Sequence, residues 1–180
     1  RYQDAADAYR AFVALDPYHA KAPLLQVEVI EAFKKGGFAD LVLGGKEGFV
    51  ETYGPDSPYW QRFTFEQQPE VVAHLKSNVT DLAAYHHAEA QKTQAAEEYA
   101  AAARWYRTYL KSFPDDEMAA ETNFLLAEVL FESGELRSAA QEYERTAYAY
   151  PFHAHGGEAG FAALVAYAKH EETLDGTARA

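Results

Sequence analysis

Cysteine is absent from this chain of 180 residues, and methionine occurs once. Neither a disulfide nor a thiolate metal site can form, which fits a reducing cytosol and an oxidising envelope equally well. Positive charge is scarce. There are 16 basic residues against 28 acidic ones, a net charge of −12. That field repels phosphate backbones and disfavours nucleic-acid binding through a basic footprint, while leaving basic protein partners open. No apolar run reaches the roughly eighteen residues of a membrane span, so no direct membrane insertion is expected of this segment. Proline and glycine are both missing between residues 71 and 113. An initiating methionine is missing too. The chain opens on Arg1 in the middle of a motif, which reads as a piece of a longer protein, with any signal peptide lying outside it.

The apolar fraction is 48%, rich in alanine, with 13 Tyr and 11 Phe. This mixture suits helices that approach closely at small residues and are wedged by rings. The sequence also superposes on itself at an offset of 37: Ala102 on Ala139, Tyr106 on Tyr143, Pro114 on Pro151, Glu121 on Glu158 and Phe124 on Phe161. A fixed period of a few tens of residues marks a stacked repeat architecture. In the clearest unit, Ala120, Phe124, Ala127 and Leu130 share one helical face, and Ser133-Gly134 stops that helix. Leu136, Ala139, Tyr143 and Ala147 then share the face of a second helix that ends before Pro151. The second-helix pattern recurs in Ala5, Tyr9 and Val13 before Pro17, and in Ala102, Tyr106 and Leu110 before Pro114.

It also recurs, with Gly44, Gly45 and Gly48 inserted, in Phe38, Leu41, Phe49 and Tyr53 before Pro55. Three glycines cost a helix ~2–3 kcal/mol against alanine, which favours a close helix crossing there over a ligand role. They lack the ending of a phosphate loop. First helices are expected over residues 20–35, 70–91, 119–131 and 157–169. A turn at Gln91-Lys92-Thr93-Gln94 is expected to split residues 71–113, one continuous helix being the alternative. Residues 54–68 form a loop carrying Trp60, Phe63 and Phe65, the one segment that breaks the repeat.

Leu126, Ala127, Gly134, Ala139, Tyr143 and Pro151, with Ala102, Tyr106 and Pro114, resemble the tetratricopeptide repeat. That family places a large-small pair in the first helix, glycine at the turn, then alanine, an aromatic and a closing proline. The resemblance covers about three quarters of the chain, in repeats longer than the family's usual ~34 residues. It implies an all-α fold, a right-handed α-solenoid of about four antiparallel helix hairpins with the first truncated. The expected divisions are a half repeat at residues 1–17, a repeat at 18–55, an irregular loop at 56–68 and an elongated repeat at 69–114. The best-matching repeat comes next at 115–151, and the start of a further one with a tail at 152–180. Residues 106–151 are also similar to bacterial envelope repeat proteins, the outer-membrane assembly lipoproteins and periplasmic coordinators of division. That similarity implies the periplasm or the inner face of a Gram-negative outer membrane, with the cytoplasm as the alternative.

Candidates for chemistry are few. His153 and His155 have a ligand-like spacing, but only Glu158 stands near as a third zinc donor, so metal binding is not favoured. His86 and His87 are adjacent on a helix and point about 100° apart, which excludes joint chelation; surface exposure or partial packing is expected. There is no thiol nucleophile, and the serines lack a nucleophile-elbow context. Glu97-Glu98 and Asp115-Asp116 read as solvated charges at helix starts. The expectation is therefore no enzyme, no cofactor and no metal. The tyrosine-rich clusters Trp105-Tyr106-Tyr109 and Tyr148-Tyr150-Phe152 read as packing between repeats.

The resemblance instead implies that first helices line a concave binding face. In the best repeat that face offers Glu121, Phe124, Glu128, Phe131 and Glu132, suited to a peptide with basic and apolar residues, and Trp60 is a further candidate contact. The plainer alternative packs Phe124 against a neighbouring helix and leaves the glutamates solvated. The expected function is a protein–protein interaction scaffold. The alternatives are a purely structural solenoid segment or a glycan- or cell-wall-polymer-binding module.

Overall fold

A computed structural model of the chain describes residues 1–151 and 153–178, with side chains through residue 174. The described residues are all-α: eight helices, one 3-10 turn and no strand. Most helices adjacent in sequence pack on one another, and the chain divides within the helix Pro69–Thr93 into two compact units, Arg1–Leu82 and Ala83–Ala180.

In the first unit, α1 (Tyr2–Leu15) stops where Asp16 turns extended ahead of Pro17, as the residue before a proline does. Its Ala6 packs with Val29, Ala32 and Phe33 of α2 (Ala22–Gly36), and Arg10 lies over the Phe33 ring at 4.8 Å. Burying Phe33 stabilises the unit by about 1.5–3 kcal/mol. Helix α2 ends at Gly37, whose φ of 75° lies in the left-handed region, with the Phe38 amide reaching back to the Phe33 carbonyl. Helix α3 (Ala39–Tyr53) then crosses α2 at Gly45, where an added Cβ would stand 2.9 Å from Ile30 Cγ1. Gly44 and Gly48 face open space, so the close crossing accounts for one glycine of the three.

The irregular loop is packed, not loose. Tyr59 of the 3-10 turn (Pro58–Gln61) is buried, and its hydroxyl donates to the Ala20 carbonyl at 3.2 Å. The Tyr53 hydroxyl donates to the Pro17 carbonyl at 3.0 Å. The loop is thereby tied to the α1–α2 turn. Helix α4 (Pro69–Thr93) joins α3 through an ion pair between Lys46 and Asp81.

The expected break after α4 is present. Gln94 takes φ 56°, and α5 (Ala96–Ser112) starts two residues later, so residues 71–113 are two helices and not one. His86 and His87 differ from expectation, because both are buried. His86 Nδ1 meets Glu98 at 2.6 Å and His87 Nδ1 meets the Tyr106 hydroxyl at 3.0 Å, so this pair fastens the end of α4 to α5. Glu98 is consequently not a free solvated charge, and Asp116 likewise accepts from the Tyr109 hydroxyl at 2.8 Å. Helix α6 (Ala119–Glu132) ends on Gly134 at φ 85°, where the Glu135 amide bonds the Leu130 carbonyl. Helices α7 (Leu136–Tyr148) and α8 (Gly156–Ala178) complete the second unit. Of the second aromatic cluster, Tyr148 is 77% exposed, Tyr150 is half-buried and Phe152 lies outside the described residues.

Candidate partner-binding face

Helical spacing sets Glu121, Phe124, Glu128, Phe131 and Glu132 along one side of α6. They are not equivalent. Glu132 is exposed, Glu121, Glu128 and Phe131 are half-buried, and Phe124 is 6% exposed. Phe124 packs edge-on against Tyr143 of α7 at 5.6 Å and lies under the His155 ring, with centroids 5.0 Å apart and planes 22° apart. The packing alternative for Phe124 therefore describes its place, while the glutamates form a cluster of their own. Trp60 belongs to the first unit. Its indole donates to the Tyr53 carbonyl at 2.8 Å and its ring packs on Tyr59 and Phe65, so its apolar body serves the loop.

Around the α6 carboxylates stand residues that no motif singled out as a group. Glu158, from the start of α8, brings a fourth carboxylate. Partial burial and the like charges of Glu132, Glu158 and Glu121 push the Glu128 carboxyl above its ordinary range. Burial and the charges of Glu128, Glu121 and Glu132 push the Tyr106 hydroxyl up to about 12, and Tyr143 rises through burial and the charges of Glu128, Glu132 and Glu158. Both phenols are therefore neutral at physiological pH, and both are buried beneath the face.

At the far end, burial lowers the pKa of His87 despite Glu132 nearby. A neutral His87 fits its neighbours: the Gln91 amide donates towards Nε2 (3.3 Å) and also to Glu132 (3.0 Å), leaving the proton on Nδ1 facing Tyr106. The 3.7 Å approach of His87 to Glu132 is thus not an ion pair at neutral pH. The exposed part of Phe131 has a cation on its face, Lys169 Nζ at 4.5 Å from the centroid.

His153 and His155 do not converge on a common point. His153 Nε2 meets the Thr146 carbonyl at 2.8 Å, whereas His155 is directed at Glu121 and Glu158. Among the described residues, no group of three potential ligands is arranged to hold a metal ion. Also among them, no helix is long and apolar enough to cross a membrane. The sequence did carry one signal for Glu158, since the 37-residue offset sets it on Glu121. What the offset could not show is that the two copies face each other across one site. No family model matches the chain, and no curated protein matches it in sequence.

Proposed function

We infer that the chain is a non-catalytic interaction scaffold that binds a basic, partly apolar peptide or protein segment on the α6 face. One observation carries this reading: Glu121, Glu132 and Glu158 gather around half-buried Glu128, whose carboxyl is pushed up first by burial and then by these like charges, beside a Phe131 ring that already accepts an ammonium group. A cationic side chain would relieve the repulsion and gain contact with the ring. The resemblance of the repeated motif to the tetratricopeptide repeat supports a solenoid of helix hairpins, and the similarity of residues 106–151 to bacterial envelope repeat proteins supports a place in a Gram-negative envelope. Cell fractionation with antibodies against this chain tests that compartment.

Binding is tested by calorimetric titration of a synthetic peptide of alternating arginine and leucine into the protein and its Glu128→Lys and Phe131→Ala variants. The expected result is binding that weakens with added salt and drops at least tenfold in Glu128→Lys. Equal heats for the wild-type protein and both variants would leave a purely structural segment as the better reading.

A further inference from the structure

The His155 ring is held in a geometry that a neutral imidazole does not satisfy. Nε2 lies 3.0 Å from a Glu121 carboxylate oxygen on α6, and Nδ1 lies 3.1 Å from a Glu158 carboxylate oxygen on α8. Ionised carboxylates only accept hydrogen bonds. A neutral ring has one N–H, so one of its two nitrogens would turn a lone pair onto a carboxylate. Only the imidazolium can satisfy both sides. The ring plane meanwhile lies flat on Phe124, the buried ring beneath the proposed binding face.

We propose that His155 is a proton-operated clasp, which in its charged form pins the α7–α8 connection over Phe124 and occupies two of the four carboxylates of the binding face. Losing the proton ends the charge attraction to Glu121 and Glu158 and leaves a single N–H, which can bond only one of them, so at least one carboxylate is freed and the ring can leave Phe124. The groups facing His155 make this a one-residue device. From α6 it meets Glu121 and, further off, Glu128; from α8 it meets Glu158. Within the connection its own amide donates to His153 Nδ1 at 3.3 Å. Across Phe124, α7 offers Tyr143, which stays neutral.

The carboxylates raise the pKa of His155 above its ordinary value, first through the Glu158 contact and then through the Glu121 charge. That direction sets the sign of the pH dependence. The folded-state pKa is above the unfolded one, so the clasp is fully closed below the unfolded value and opens as pH rises through the folded value. The Ala159 amide, bonded to the His155 carbonyl at 2.8 Å in the first turn of α8, reports the opening.

The consequence for a partner rests on the binding reading above: a cationic peptide meets more free negative charge once the clasp has opened, so its affinity should rise with pH across the His155 midpoint. The test tracks the His155 ring proton and Phe124 ring protons by NMR against pH, in the wild-type protein and the Glu121→Gln, Glu158→Gln and His155→Gln variants. In the wild-type protein the midpoint is expected above that of the same residue in the urea-unfolded chain. Each glutamine variant should lower it. Phe124 shifts and faster exchange of the Ala159 amide should move with it, and in His155→Gln both signals should lose that step. His155→Gln removes only a half-exposed ring, and retained helical circular dichroism would show that it folds.

A His155 midpoint equal to the unfolded one, or unmoved by both glutamine variants, overturns the clasp. The arginine–leucine peptide separates the two ideas. If it binds the wild-type protein with no change across the midpoint, the clasp does not gate the face although the face binds. If it binds neither the wild-type protein nor His155→Gln at any pH while the His155 step is present, the clasp stands and the binding reading falls.

Discussion

Helices α6 and α8 align at the 37-residue offset, with Glu121 on Glu158 and Phe124 on Phe161, yet Phe124 is 6% exposed and Phe161 is 70% exposed. The difference begins with the neighbours each ring has. Phe124 has α7 on one side, through Tyr143, and His155 above it. Phe161 lines an open apolar hollow with Tyr148, Leu164 and Gly160. The difference continues in the order of large and small residues. Leu126 and Ala127 on α6 are both buried, whereas on α8 the order is Ala163 and then Leu164. Ala163 is buried, and Leu164 is 68% exposed. A repeat thus specifies which residues share a helix face, and packing neighbours decide which of them leave water.

The largest break in that comparison is Phe124→Ala. Truncating a buried phenylalanine between two rings should cost about 3–5 kcal/mol, against almost nothing at Phe161. Thermal and urea unfolding of the two alanine variants side by side measures the contrast. A Phe124→Ala midpoint within a degree of the wild-type value would mean that the His155 and Tyr143 rings do not enclose the side chain in solution.

Next comes Asn123, whose aligned position on α8 is Gly160. Asn123 is 0% exposed, and its amide donates to the Glu142 carbonyl at 2.8 Å and to Thr146 Oγ1 at 2.9 Å. The Tyr150 hydroxyl approaches its Oδ1 at 3.4 Å. Asn123→Ala removes a buried connection between α6 and α7 and should cost about 1–3 kcal/mol. The urea midpoint should fall with the slope of the transition unchanged, as for a loss of stability without a change of folded state.

How much of this could be read in the sequence depends on the kind of information. Helix termini were legible wherever backbone chemistry is local. Gly37, Gly134 and the residues before Pro17 and Pro55 end their helices as glycine and proline dictate, and the polar group at Gln94 marks the turn after α4. The burial of His86 and His87 was not legible. Their partners, Glu98 and Tyr106, lie on another helix, and a two-residue pattern carries no trace of them. The glycines of α3 show both situations in one helix: a Cβ at Gly45 would run into Ile30, while a Cβ added at Gly44 or Gly48 would meet nothing within 4 Å. For the binding face, the α6 residues were visible as a helical stripe. The joining of Glu158 and His155 to it was not, because it depends on the path of the α7–α8 connection.

Gly160→Ala sharpens the comparison in the opposite direction. An added Cβ would sit 3.5 Å from the Tyr148 hydroxyl and 3.7 Å from Ala147 Cβ, ordinary contact distances. Glycine inside a helix is about 0.5–1 kcal/mol less favourable than alanine. The variant should therefore be more stable by about that much, seen as a higher melting temperature. A lower one would mean that α8 lies closer to α7 than these distances allow.

The smallest expected effect is the most discriminating. At Phe161→Ala two terms oppose each other. The ring loses what little burial it has, and alanine is the better helix former by roughly 0.5 kcal/mol. The sum should stay within about 0.5 kcal/mol of zero, as for most surface substitutions. The same substitution at two aligned positions would then differ several-fold in cost. If Phe161→Ala instead costs as much as Phe124→Ala, and the cost grows with protein concentration, Phe161 is covered in solution by a second molecule. The difference between the helices would then belong to the isolated chain and not to the repeat.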